Sequence, residues 1–300
     1  MDGELPHRGF EVERPATPRL PLVVASPHSG RDYPAEFVAA SRLDPLALRR
    51  SEDSFVDALF AAAPSRGAPL LAARFPRAYL DVNREAWELD PAMFADPLPR
   101  FVNAGSPRVR MGLGTIARIV ASDAEIYAGK LRFAEAQQRI ETLYHPYHRV
   151  LCGLIAETER RFGGCLLLDC HSMPSAALGG GRETADIVLG DCHGAACGGA
   201  ILETARRFFA ERGFAVTVNA PYAGGFTTGH YGQPRRHRHA LQIEINRALY
   251  MDERSYRRLP GFAQLADQLA EFVERLGAAA AKCLPRHGRV IDPPLRRSHF

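Results

Sequence analysis

Three short oily runs, each ending in a polar cluster, constrain this chain more than any other feature. They are PLVVASPHSG, CLLLDCHSMPS and ALQIEINR, and they put His28, His171 and Glu244 where strands ought to stop. A continuous apolar run of this length, bounded by turn chemistry, reads as a strand buried inside a sheet. In an open α/β sheet, ligands bind outside the carboxyl ends of the strands, where loops hold polar groups over a buried scaffold. Two histidines and a nearby acid can hold a divalent metal, and a further glutamate can serve water as general base.

Between these runs strands alternate with helices, which implies one α/β domain with a mixed, mostly parallel sheet and helices on both faces. The expected organisation is an N-terminal arm over 1–20, a catalytic domain over 21–285 and a basic tail over 286–300. The apolar spacing predicts a helix over 44–60, strands in PLLAARF, AYLDVNR and AVTVNAPY, and a helix over about 198–212. A long helical pattern over 124–162 contains Pro146, which should kink or break it near Tyr144. GGGRETADIVLGD opens on a glycine cluster, GGFTTGHYG looks like a mobile loop, and a helix over about 262–282 closes the domain. The stretch over about 86–123 has no clear periodicity, and loops of that length usually cover or build a site.

Composition removes several classes of function. The chain has 300 residues and a net charge of only +4, with its arginines scattered apart from RRHRH at 235–239 and the tail. A nucleic-acid binder concentrates charge on a stripe, so that partner is not expected. No run approaches a membrane span of roughly 18 apolar residues. The six cysteines form no CxxC pair and read as reduced thiols. The polar start, MDGELPHRGFEVERP, is unlike a signal peptide, so a cytoplasmic enzyme acting on a small molecule is expected.

The chemistry rests on a few side chains. His28, in SPHSG, and His171, in DCHSMP, repeat the same His-Ser turn after two buried runs. Strand alternation sets Asp169 against Cys170, so Asp169 is a candidate partner behind a ligand. A third, acidic ligand is required, and Glu52 and Asp53 both offer one. Glu244 sits among β-branched neighbours, where desolvation raises its proton affinity and suits it to general-base work. Asn83-Arg84 provides an amide and a planar fork matched to a carboxylate, and Arg77, Arg118 and Arg247 offer similar forks. His145 and His148 stand three apart near the helix break. His148 and His230 join Arg118 as candidate substrate contacts.

The order SPHSG, EDSFVD, DVNR, GLGTIAR, YHPYH, DCHSMP, LGD, NAPYAGG, QIEINRALYM resembles the N-formylglutamate amidohydrolase family from about Val23 to Asp252. The resemblance implies a phosphorylase/hydrolase-like α/β fold shared with zinc carboxypeptidases. It implies His28 and His171 as ligands of Zn2+ or another divalent metal, and Glu244 as base. Carboxypeptidases place their acidic ligand three residues after the first His, where this chain has Arg31, with Asp32 one step too far. The family pattern D-x-x-x-D moves that ligand to Asp53, ahead of Asp57, with Glu52 as fallback. It also implies that Asn83 and Arg84 grip a substrate carboxylate and that Arg77 meets the oxyanion. Hydrolysis of an N-acyl amino acid, N-formyl-L-glutamate foremost, is the implied activity. The alternatives are an amidase for another N-acyl amino acid or cell-wall amide, or a non-catalytic binder of acidic metabolites.

Overall fold

Side chains alternate along a strand, so an oily run buried on both faces can turn polar on one face only near its end. The computed structural model describes residues 9–120, 124–178 and 185–285. Its main sheet contains β1 (Phe10–Glu13), β2 (Leu22–Ser26), β3 (Leu70–Ala73), β4 (Cys165–Met173), β5 (Ile187–Gly190), β6 (Val216–Val218) and β7 (Arg238–Asn246). The spatial order is β1-β3-β2-β4-β7-β5-β6. β3, β2, β4 and β7 run parallel, as do β5 and β6, while β1 joins β3 and β5 joins β7 antiparallel. Part of the segment expected to be a surface arm is thus β1, which pairs with the open edge of β3. The basic tail over 286–300 and most of the GGGRETAD glycine cluster lie outside the described residues.

Helices α1 (His145–Phe162), α2 (Gly199–Ala210), α3 (Phe226–Tyr231) and α4 (Phe262–Cys283) complete the frame. On one face, Tyr147, Leu151 and Leu154 of α1 join Val23, Leu167 and Ala240 in a core. On the other, Phe208 and Phe209 of α2 and Phe272 of α4 join Leu168, Leu241 and Ile243. Among the described residues no helix is long and apolar enough to cross a membrane.

Four local expectations differ from the structure. The helix expected over 44–60 is interrupted: Pro45–Leu48 and Val56–Leu59 are helical, but Glu52 is extended and Phe55 is left-handed at φ 67°. A non-glycine residue there costs about 1–2 kcal/mol, and the gap is fastened by the Asp53 N–H donating to His28 O at 3.0 Å. AYLDVNR is a turn rather than a strand, because the N–H groups of Tyr79 and Leu80 both donate to Pro76 O. GGFTTGHYG contains helix α3, anchored by buried Thr227, Thr228 and Tyr231. The long helical pattern begins only at Phe133, and Ile140–Tyr144 form a π-helical turn just ahead of α1 and Pro146.

The central strands carry a gradient from oil to charge. On the α1 face β4 presents Leu167, then Asp169, then His171, and β7 presents Ala240, then Gln242, then Glu244. The parallel register sets Asp169 beside Gln242 and His171 beside Glu244. From β2 the chain passes outward to β3, and then returns to β4 on the other side of β2. His28 and His171 therefore follow or end the two strands that flank the switch point, where such sheets bind ligands. Leu241, fully buried on the opposite face, should tolerate no truncation: Leu241→Ala is expected to cost about 2–5 kcal/mol, read as a lower urea midpoint with unchanged slope.

Candidate active site

Three loops or strand ends deliver three donor atoms to one buried point. His28 comes just after β2, Asp53 from the gap in the broken helix, and His171 from β4. His28 Nδ1 and His171 Nδ1 stand 3.3 and 3.0 Å from the same oxygen, Asp53 Oδ2, and 3.1 Å from each other. All three side chains are buried, and their donor atoms lie within 4.8 Å of one another. Such a set, with two imidazoles and one carboxylate, suits a divalent cation.

Each imidazole is held from behind. His28 Nε2 is 2.8 Å from Asp81 Oδ1, and His171 Nε2 is 3.1 Å from Asp169 Oδ1. A carboxylate in that position keeps the far ring nitrogen protonated and frees Nδ1 for a metal. Burial lowers the proton affinity of His171, but Asp169 and Asp53 raise it well above the ordinary imidazole value. Burial likewise opposes ionisation of Asp53, yet His171, His28 and Arg77 hold it well below the usual carboxylate range. This cluster attracts positive charge, which fits the metal that the donor set suggests.

The choice between the two acids is clear in the geometry. Glu52 faces away from the histidines and accepts from Tyr33 Oη (2.7 Å), Ser54 Oγ (2.7 Å) and Arg49 Nε (3.1 Å). Asp32 lies at the surface and pairs with Arg74 at 3.1 Å. Asp53 Oδ1 accepts from Arg247 Nη2 at 3.2 Å, which leaves Oδ2 to the histidines. Arg247 also donates from Nε to Ser172 Oγ at 3.2 Å and from Nη1 to Arg50 O at 3.1 Å.

Beside the cluster opens a cavity of about 460 Å³ that His28, His171, Glu244, Arg77, Asn83 and Arg84 help to line. Glu244 accepts from Gln242 Nε2 at 2.9 Å, and burial pushes its carboxyl up to about 7, with His171 and Asp53 pulling in opposite senses. Arg77 donates to Asp81 at 2.9 Å; burial disfavours its charge, but Asp81, Asp53 and Glu244 together favour it. Asn83 and Arg84 form part of the wall, but their polar atoms are engaged. The Asn83 amide accepts from the Thr227 N–H at 2.7 Å and lies 3.2 Å from His171 Nε2. Arg84 donates to Leu113 O and Asn83 O, each at 2.8 Å, and stands 3.4 Å from Asp81. In this geometry Asn83 and Arg84 brace the wall through contacts within the fold.

Three expected substrate contacts point elsewhere. Arg118 pairs with Asp90 at 3.0 Å and faces a separate depression beside Arg42 and Lys130. His148 bonds Tyr231 Oη at 2.8 Å and Val82 O at 2.9 Å, and burial pushes its imidazole down to about 4. His148, His145 and His230 line a second cavity, to which Phe226 and Tyr231 of α3 also contribute. Spacing alone cannot tell on which side of a helix or loop a cavity opens. Asp81 escapes the sequence reading, because DVN reads as strand; its sign is the Asx pattern, in which Asp81 Oδ1 accepts the Asn83 N–H at 2.8 Å.

Comparison with known proteins gives consistent results. Residues 20–251 match the family model described as N-formylglutamate amidohydrolase. A protein named N-formylglutamate deformylase from Pseudomonas aeruginosa is 31% identical over 79% of this chain and 84% of its own. One of the same name from Pseudomonas putida is 29% identical over 78% and 83%. The crystal structure of N-formylglutamate amidohydrolase from Ralstonia eutropha superposes with a TM-score of 0.86 at 39% identity, covering 92% of this chain and 99% of that one.

The two neighbouring acids should separate experimentally. Asp53→Asn is expected to abolish most bound metal, measured by elemental analysis, while leaving the fold intact. Glu52→Gln should keep its metal and lose about 1–3 kcal/mol of unfolding free energy, the cost of unsettling buried partners. Metal loss from the Glu52 variant alone would reverse the assignment.

Proposed function

The chain belongs to the N-formylglutamate amidohydrolase family, and from that premise we propose that it hydrolyses N-formyl-L-glutamate to formate and glutamate with the help of a divalent metal, zinc foremost. The observation that carries this reading is the convergence of His28, Asp53 and His171 beside a buried glutamate on the neighbouring strand. His28 Nδ1, His171 Nδ1 and Asp53 Oδ2 would hold the metal. When bound there, a divalent cation supplies Lewis-acid polarisation of the formyl carbonyl and lowers the pKa of water toward neutrality.

The chain's own groups supply the proton transfers and the charge balance. Glu244 takes a proton from the water that attacks the formyl carbon. The new C–O bond leaves a negative oxygen, and Arg77, beside Asp53 and Glu244, is the guanidinium best sited to meet it. Glu244 then delivers its proton to the amide nitrogen as the C–N bond breaks, so that the amine of glutamate leaves neutral. A carboxyl whose burial places it near 7 can both accept and return a proton near neutral pH. Asp81 and Asp169 hold the imidazoles in the tautomer this requires. Arg247 fixes Asp53, so the acid cannot turn away from the histidines. The active-site cavity is large enough for a small ligand, which suits a small acyl amino acid as substrate.

Formate release from N-formyl-L-glutamate, followed after removal of metal by a chelator and its restoration with zinc, tests the reading. Activity should vanish and return. Glu244→Gln should keep its metal and lose turnover by on the order of 10² to 10⁴; turnover within a few-fold of the parent would make Glu244 a structural residue.

A further inference from the structure

Among the described residues, one guanidinium in the active-site cavity has no partner in the fold. Arg77 pairs with Asp81, Arg84 with two carbonyl oxygens and Asp81, and Arg247 with Asp53 and Ser172. Arg108 lines the same cavity, and among the described residues its side chain takes part in no ion pair or hydrogen bond. It is half-buried, and its charge acts on Arg84, so the two guanidinia repel. A cation facing a like charge inside a cavity is stabilised when an anion binds beside it.

The backbone around Arg108 is firmly placed. Ser106 Oγ caps its short helical turn by accepting the Val109 N–H at 3.1 Å. Arg108 O accepts the Leu113 N–H at 2.8 Å, and Leu113 O in turn accepts Arg84 Nε at 2.8 Å. At Gly114 an added Cβ would come within 2.3 Å of Glu88 O, so this wall is packed tightly against the site. The stretch without periodicity in the sequence therefore builds one side of the cavity and presents a cation there.

The cavity also has positive charge in excess. Arg50, Arg77, Arg84, Arg108 and Arg247 line it, against Asp81 and Glu244 in the wall and Asp53 beneath. A bound divalent cation would widen that excess. The proposed substrate carries two carboxylates. Its α-carboxylate is one carbon from the scissile nitrogen and must stay near Arg77, whose charge neighbours include Asp53 and Glu244. Its side-chain carboxylate extends away from the reacting bond. Arg108 is the lining guanidinium that no group among the described residues engages, so it is the one open to that second anion.

We propose that Arg108 is a specificity-determining residue that receives the side-chain carboxylate, restricting the site to N-formyl amino acids that carry a second acid. This inference rests on the proposed hydrolysis of N-formyl-L-glutamate, deepening it by naming the residue that reads the second charge. A planar guanidinium can take that carboxylate through two parallel hydrogen bonds.

Two measurements on the metal-loaded enzyme, its Arg108→Gln variant and its Arg108→Lys variant test the inference. In the first, calorimetry compares binding of L-glutamate with that of L-glutamine, which lacks only the second charge. The parent should prefer glutamate, Arg108→Gln should lose that preference by about 10- to 100-fold, a charge-assisted contact's worth, and Arg108→Lys should recover part of it. In the second, Arg108→Gln should raise KM for N-formyl-L-glutamate by a similar factor with kcat kept within about threefold. Its formate release from N-formyl-L-glutamine should match the parent's. Preference for glutamate retained in Arg108→Gln, or parallel losses on both ligands, would overturn the assignment. A parent that binds glutamate but releases no formate from either substrate would defeat the hydrolase reading, while the binding comparison still decides Arg108.

Discussion

The site depends on where the far nitrogens of two buried imidazoles point. Asp81 behind His28 and Asp169 behind His171 fix both rings so that their Nδ1 atoms meet on one oxygen of Asp53. Burying several carboxylates this deeply is costly unless cations and donors accompany them. Arg77 and Arg84 accompany Asp81, and Arg247 accompanies Asp53. The interrupted helix, the turn at Asp81 and the close of β7 into Arg247 follow from this arrangement, since each delivers one of the charged groups. The left-handed Phe55 is a local strain that holds Asp53 at its post.

The fold was largely legible because its central strands are buried on both faces and its long helices keep one apolar stripe. The gathering of His28, His171 and Glu244 in one cavity was legible for a related reason. A polar side chain that closes a run buried on both faces needs a partner, and a site beyond the strand end supplies one. The choice of Asp53 was not readable from spacing, because two adjacent acids ahead of a helical pattern are equivalent on paper. The structure separates them through the backbone break, which turns Glu52 to Tyr33 and Arg49 while Asp53 meets the histidines. Arg118, His148 and His230 do not line this cavity, although each lies beside a segment that does build the site. One residue in such a wall can face the cavity while a neighbour faces away: Ala117 and Ile119 line the cavity and Arg118 does not.

Topology explains why these side chains meet at all. The chain leaves β2 toward β3 and returns to β4, so a crevice opens between loops that part in opposite directions. His28 and Asp53 enter it from one side, His171 and Glu244 from the other. The strand register then sets Glu244 directly beside His171. Around this core the arginines serve distinct ends. Arg247 and Arg84 hold other groups in place, Arg77 lines the cavity while paired with Asp81, and Arg108 lines it with no ion pair or hydrogen bond among the described residues.

The central claim is that His28, Asp53 and His171 form one metal centre through the nitrogens and oxygen named above. Anomalous diffraction from crystals of the zinc-loaded protein tests it directly. The account predicts a single strong peak within roughly 2.0–2.2 Å of His28 Nδ1, His171 Nδ1 and Asp53 Oδ2, the usual distances for zinc. A peak bound through either Nε2, a peak beside Glu52, or no peak at this cluster would contradict it.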